Sequence, residues 1–317
     1  MSKYRVWFLL VICNLFWAGN YVFGKYVILD VTPLWITFSR WSLAMFFLVP
    51  IAHYIEKPVW HMAKKEWFLL LCMGVLGVIG YNIFLYSALG YTTPTNAALV
   101  SALNPGVIVI CSIILYRERI SILQTLGLIL SLSGALVVLT NGEMGRLLQF
   151  QFNQGDLLMV GAVIIWTLYT LIGRRISTPP ITATAISTGV AVLLMAPFAY
   201  NQGIQIGEIG TVAITGILYM VLFPSVGSFV FWNLSVQKIG VSKAGVFLNL
   251  IPVFTAIISG ILGERVTGAQ GGGGLLVFCG VYLTTGMLEQ RLNIGNQKSK
   301  KRPNDRGLTN PACYQEK

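Results

Sequence analysis

Nine side chains with hydrogen-bonding or π-face chemistry stand inside otherwise apolar runs: Asn14, Trp17, Tyr81, Tyr86, Asn104, Trp166, Trp232, Asn233 and Asn249. An amide carries two donors and an acceptor, so an Asn among apolar neighbours must face a partner segment or a polar cavity. Asn20 and Asn82 are flanked in the same way. Asn104 and Asn249 adjoin prolines, Pro105 and Pro252. A proline inside a helix removes one amide donor and frees the carbonyl four residues earlier, here those of Ser101 and Leu248. A freed carbonyl beside an amide side chain can line a polar cavity, and a packing kink without a ligand explains the same pattern. Trp17 and Tyr21, Trp166 and Tyr169, Tyr81 and Tyr86, and Trp232 offer rings that hold apolar groups by contact and cations by their faces. Tryptophan usually anchors a membrane interface. Trp17 and Trp166 instead fall in the middle of their runs, which favours an interior role.

Charged chemistry is sparse. Glu118 and Glu264 end apolar runs beside Arg119 and Arg265, where a local ion pair or loop contact is the first reading and gating the second. Arg40 lies about two turns into the second run, where it could snorkel outward, contact a neighbouring helix or hold an acidic solute group. No Asp or Glu falls in mid-run, and His53 and His61 lie in or beside a polar loop. A carboxylate proton relay is therefore not expected, and uniport or coupling through the solute's own charge is. There is no HExxH, and Ser228 has no histidine in any run to activate it, so enzymatic activity, a metal and a cofactor are not expected. GAQGGGG at 268–274 lacks the Lys-Ser/Thr of a phosphate loop and reads as helix packing or a loose helix start. Gly74, Gly77 and Gly80 mark a face open to close helix approach. Cys13, Cys72, Cys111 and Cys279 sit in apolar segments without ligand or disulfide spacing, as small hydrophobes.

The elements that must position these groups follow from composition. The chain is 55% hydrophobic and 10% charged, with mean hydropathy +0.72. A soluble domain, at about 25% charged residues, could not cover that much apolar surface. Ten stretches approach the ~20 residues that cross a bilayer: about residues 6–28, 34–54, 67–90, 95–116, 120–140, 157–175, 181–200, 208–232, 242–262 and 270–288. The first follows MSKYR and reads as a retained helix. Of the 22 basic residues, 18 fall on the side of the N-terminus, and only Lys25, Arg146 and Arg265 fall opposite. Cytoplasmic loops are enriched in Lys and Arg, so both termini are expected in the cytoplasm of a multi-pass cell-membrane protein. The net charge of +11 is thereby a topology signal rather than a nucleic-acid surface.

The ten runs divide into two fives. At an offset of 149 residues Trp17 meets Trp166, Gly24 meets Gly173 and Lys25 meets Arg174. At 147 Pro33 meets Pro180, Pro50 meets Pro197, Ala97 meets Ala244 and Pro105 meets Pro252. At 146 Glu118-Arg119 meets Glu264-Arg265, and Gln124, Gly127 and Gly134 meet Gln270, Gly273 and Gly280. An ordered set that includes rare Trp and Pro indicates duplication. The chain is therefore read as an all-α integral membrane protein of ten transmembrane helices in two inverted five-helix repeats. Residues 1–140 form the first repeat, 141–156 an external linker, 157–288 the second repeat and 289–317 a disordered basic cytoplasmic tail. Five is odd, so the second copy inverts, a plan that puts a solute site near the midplane between the halves.

The segments AALVSALNPGVIVICSIILYRERIS and AGVFLNLIPVFTAIISGILGERVT, with small residues, a mid-helix proline and a terminal Glu, resemble the EamA-like transporters of the drug/metabolite transporter superfamily. The resemblance covers about residues 5–288 and implies a bilayer-embedded carrier with cytoplasmic termini and a small-molecule substrate. It implies an exporter of amino acids, other metabolites or drugs. A translocator of lipid or sugar-phosphate headgroups is the alternative, and it would require a more basic cavity than Arg40 alone supplies. A non-transporting scaffold or receptor is a third reading, in which a full duplication has no evident use.

Overall fold

A computed structural model describes residues 3–57, 60–92, 97, 100–117, 120–140, 142–143, 145, 153–203, 209–262, 267–285 and 288. Glu118 and Glu264, most of the 141–156 segment and the C-terminal tail lie outside the described residues. Within them the chain is helical. The elements are α1 (Lys3–Asp30), α2 (Pro33–Glu56), the short α3 (Trp60–Lys65), α4 (Trp67–Leu89), α5 (Asn104–Tyr116) and α6 (Ile122–Thr140). They continue with α7 (Gln154–Arg175), α8 (Pro180–Gln202), α9 (Thr211–Ile239), α10 (Val241–Val246), α11 (Leu250–Ile261) and α12 (Gly268–Thr284). A 3₁₀ turn, Phe247–Asn249, joins α10 to α11.

Among the described residues, seven segments are long and apolar enough to cross a bilayer: α1, α2, α4, α7, α8, α9 and Val241–Ile258. This is a multi-pass membrane protein. Its outside is apolar, with Phe8, Leu29, Phe46 and Phe198 exposed, and its amides and guanidinium are inside, with Asn14, Asn20, Arg40, Asn82 and Asn249 buried. That distribution is the one hydrocarbon imposes, since lipid offers no partner to a polar group.

Local sequence sets the helix ends. Thr32 caps α2 ahead of Pro33, whose fixed φ suits the first turn. Asn153 and Asp156 form a reciprocal capping box, so α7 starts at Gln154 rather than at the expected 157. Thr267 and Gln270 do the same for α12, which begins directly in the run of glycines. Pro105 lies in the first turn of α5, and Leu103 N donates to Val100 O in the turn ahead of it. The proline thus starts a new helix rather than bending a continuous one.

The halves interlock helix against helix: α1 on α9 and α11, α4 on α7, α5 on α7 and α10, α2 on α8, and α6 on α12. Along the α6–α12 seam backbones touch. A Cβ on Gly134 would come 2.6 Å from Gly273 O, and one on Gly127 would come 2.7 Å from Gly280 O. Absence of side chains is what permits that approach.

Both α4 and α9 contain π-helical stretches, Gly74–Gly80 and Val221–Ser228. Side chains take up carbonyls that the wider coil leaves loose. Asn82 Nδ2 donates to Gly77 O (3.2 Å) and Val78 O (2.9 Å), and Ser225 Oγ donates to Met220 O (2.8 Å). Segments of this kind concentrate at functional sites in proteins generally.

Candidate functional site

Where the halves meet, six rings form one cluster. Trp17 of α1 and Trp166 of α7 pack edge to face, centroids 5.1 Å apart and planes at 90°. Trp232 lies 5.5 Å from Trp17 and 5.6 Å from Trp166. Tyr81 stands 4.9 Å and Tyr169 5.0 Å from Trp166, and Phe229 closes the group at 5.6 Å. T-shaped and tilted contacts set positive ring edges against negative faces. Both tryptophans are therefore interior.

Against these rings is a small cavity, about 20 Å³, lined by Trp17, Tyr21, Tyr81, Ser101, Ala102, Asn104, Trp166, Leu248, Ile251 and Pro252. It draws on α1, α4 and α7 and on the segments around both prolines. Its volume is that of about one water, far below the several hundred Å³ that hold a metabolite. The aromatic walls are thus closed on one another. Larger grooves of about 470 and 390 Å³ flank α8 on the bundle's outside, but their walls are almost wholly apolar. Tyr21, Tyr81, Ser101 and Asn104 instead bring polar groups to the central cavity.

The freed carbonyl of Ser101 is taken by Asn104 Nδ2 at 3.0 Å, and Ser101 Oγ shares a 2.7 Å bond with Tyr21 Oη, which lies 3.4 Å from Tyr81 Oη. Asn104 Oδ1 is buried without a partner among the described residues. Asn249 does not turn to Leu248 O. Its Nδ2 donates to Ser131 Oγ of α6 at 3.0 Å.

Of the nine candidates, Trp17, Tyr81, Asn104 and Trp166 line the cavity. Trp232 belongs to the ring cluster behind them, with its Nε1 unpartnered among the described residues. Asn233 bonds Tyr169 Oη and donates to Thr184 Oγ1 at 3.0 Å, and Tyr86 Oη donates to Asn20 Oδ1 at 2.9 Å. Asn14 turns back on its own helix, donating to Leu10 O at 2.6 Å. Asn233, Tyr86 and Asn249 tie helices together, Asn14 bonds only its own helix, and none of the four lines the cavity.

Arg40 is not at the surface. It is 1% exposed, which rules out outward snorkelling and leaves the helix contact. Nε donates to Ser225 Oγ of α9 at 2.8 Å, and Nη1 donates to Asn20 Oδ1 at 2.9 Å, to Asn82 Oδ1 at 3.3 Å and to Tyr86 Oη. Its guanidinium carbon also lies 5.3 Å from the Trp41 ring centroid and 5.9 Å from that of Tyr86. One side chain of α2 thereby joins α1, α4 and α9. Tyr21, Ser101 and Ser225 were not among the nine, since a hydroxyl in an apolar run commonly bonds its own helix and gives no further signal.

At the end of the bundle where α2 stops and α4 starts, two carboxylates of the first half hold the start of α8. Glu56 accepts from Ile181 N (3.0 Å), Thr182 N (2.7 Å) and Thr182 Oγ1 (2.8 Å). Glu66 accepts from Ser177 N (2.8 Å), Thr178 N (2.9 Å) and Thr178 Oγ1 (2.6 Å). Partial burial pushes the Glu66 carboxyl up, but the hydrogen bonds from Thr178 and Ser177 outweigh it and hold the group below its ordinary value. At the opposite end Asp30 accepts from Gly210 N at 3.1 Å, and Thr92 Oγ1 donates to Asp156 at 2.9 Å.

Residues 5–140 and 153–286 each match the model of the EamA-like transporter family. An uncharacterized transporter, YyaM of Bacillus subtilis (strain 168), is 27% identical over 292 residues, spanning 91% of this chain and 96% of its own. The aromatic amino acid exporter YddG of Ancylobacter novellus is 26% identical over 217 residues, spanning 66% of this chain and 71% of its own. A solved crystal structure superimposes with a TM-score of 0.72 at 20% identity, covering 92% of this chain and all of the other, a likeness of fold.

Proposed function

The chain belongs to the EamA-like transporter family, and on that premise we propose that it exports amino acids or other amphipathic, aromatic metabolites by alternating access at the cavity between its two repeats. The observation that carries this reading is the edge-to-face pair of Trp17 and Trp166, one from each half, on the wall of the central cavity. An aromatic solute that enters between them exchanges ring–ring contact for ring–solute contact, so little is lost when the wall opens. The distant relative YddG, an aromatic amino acid exporter, agrees with that chemistry.

Ten spans in inverted repeats, with both termini in the cytoplasm of a cell-membrane carrier, complete the proposal. Its support is reciprocal packing. The first helix of each half lies on the π-bearing helix of the other, α1 on α9 and α7 on α4. Along the antiparallel seam Gly127 meets Gly280 while its counterpart Gly273 meets Gly134. Contacts in which i meets j and j's counterpart meets i's are those of a two-fold axis, here across the helices.

The test is efflux from liposomes of purified protein, with labelled amino acids, nucleosides and cationic dyes, with and without a pH gradient. Saturable flux of an aromatic class, lost in a folded Trp17→Ala, Trp166→Ala variant and indifferent to pH, is expected. Wild-type flux from that variant would remove the site from this cavity. No flux of any solute from folded protein would favour headgroup movement or a non-transport role.

A further inference from the structure

We propose that Arg40 makes the central cavity selective for solutes bearing a carboxylate or a similar anionic group, as a buried positive charge set one layer behind the cavity wall. The inference rests on the reading of that cavity as the solute site.

The four acceptors around the guanidinium, on Ser225, Asn20, Asn82 and Tyr86, are neutral, and so are the rings of Trp41 and Tyr86 beside it. These groups solvate the cation without cancelling its charge. Among the described residues no carboxylate bonds it. Asp30 is held by Gly210 N, Asp156 by Asn153 and Thr92, Glu56 and Glu66 cap the start of α8 at the far end of α2, and Glu143 is exposed just past the end of α6. The acidic residues outside the described set, Glu118, Glu208, Glu264, Glu289, Asp305 and Glu316, fall in sequence at span ends, loops or the tail. The charge is permanent and lies in a span, where such groups mark solute and ion pathways.

Two of its acceptors tie it to the cavity. Asn20 and Asn82 are the chain neighbours of Tyr21 and Tyr81, whose rings form the wall. In that low-dielectric interior a fixed charge acts over a longer range than in water, favouring an anion in the cavity and opposing a cation. The second half carries no matching charge. At the 147-residue offset Arg40 meets Ser187, so the field is one-sided and orients an amphipathic solute with its anionic end toward α2 and α4.

The experiment measures equilibrium binding to purified protein of matched solute pairs that differ only in carboxylate against carboxamide, on aromatic and aliphatic scaffolds. Wild type is compared with Arg40→Lys and Arg40→Gln, each shown to be folded by thermal unfolding. Acids are expected to bind at least about tenfold tighter than amides to wild type, with the preference kept in part by R40K and lost in R40Q. The same pattern on aliphatic scaffolds alone would support the charge assignment while removing the aromatic reading of the site. Equal or tighter binding of amides by wild type, an undiminished acid preference in R40Q, or no saturable binding of any acid would overturn it. Should R40Q fail to fold, the wild-type and R40K preferences decide the matter alone.

Discussion

Tyr86 and Asn233 occupy the same place in the two halves, 147 residues apart, and each makes the bond of the other with the residue types exchanged. Tyr86 Oη donates to Asn20 Oδ1 at 2.9 Å, and Asn233 pairs with Tyr169 Oη, where Tyr169 stands 149 residues after Asn20. In both halves a phenol–amide pair thus ties the first helix to the π-bearing helix. The halves have diverged in what surrounds it: Arg40 joins the pair in the first, and Thr184 in the second.

That difference predicts unequal effects of one substitution. Tyr169→Phe leaves Asn233 with Thr184 and should cost about 0.6–1.5 kcal/mol, the usual range for one hydrogen bond inside a membrane protein. Tyr86→Phe removes a donor to Asn20 and an acceptor from Arg40, leaving a buried charge short of a partner, and should cost about 2 kcal/mol or more. Thermal unfolding of both variants in one detergent decides it. Equal midpoints would mean that Tyr86 does not solvate Arg40.

The Trp17–Trp166 contact predicts a coupling that single substitutions do not show. Each Trp→Ala change opens a large void in the ring cluster and should cost about 3–5 kcal/mol. In a double-mutant cycle the pair should be non-additive by about 1 kcal/mol, the worth of an edge-to-face contact beyond its area. The cycle is read in unfolding free energy. Additivity would mean that the rings meet only as filler.

This pair was legible in the chain because both residues are rare, fall mid-run and coincide at one offset. The solvation of Arg40 was not, since its partners lie up to 185 residues away and its own counterpart is a serine. The π-helical stretch of α4 hid behind Gly74, Gly77 and Gly80, whose spacing reads as a packing face whichever coil carries it. Glu56 and Glu66 belong to a segment that reads as an ordinary polar loop, and only the folded chain shows them gripping the second half.

Glycines of α6 and α12 predict opposite signs for the same change. Gly134→Ala in α6 would set a Cβ 2.6 Å from Gly273 O, a backbone atom that cannot swing away, so the helices must part and stability should fall by about 1–3 kcal/mol. Gly271→Ala meets nothing within 4 Å in a helical position and should gain up to about 1 kcal/mol from helix propensity. Unfolding midpoints that move in the same direction for both would contradict the close seam.

Glu66 predicts an acid-sensitive latch between the halves. Its folded carboxyl titrates below the ordinary 4.5, so the folded state binds fewer protons than the unfolded one around that value. The stabilisation is therefore fully present above the unfolded value and is lost as pH falls through the lower, folded one. Near neutrality the amides of Ser177 and Thr178 should be protected from hydrogen exchange, and that protection should decline only on acidification below 4.5. Glu66→Gln keeps the shape but removes the charge that strengthens three hydrogen bonds, so it should show weakened protection at every pH and no acid transition at this site. Because the carboxylate is largely solvated, the effect should be local, with the global unfolding midpoint nearly unchanged. Wild-type protection that stays constant down to full protonation would show that the loop is held by packing and not by Glu66.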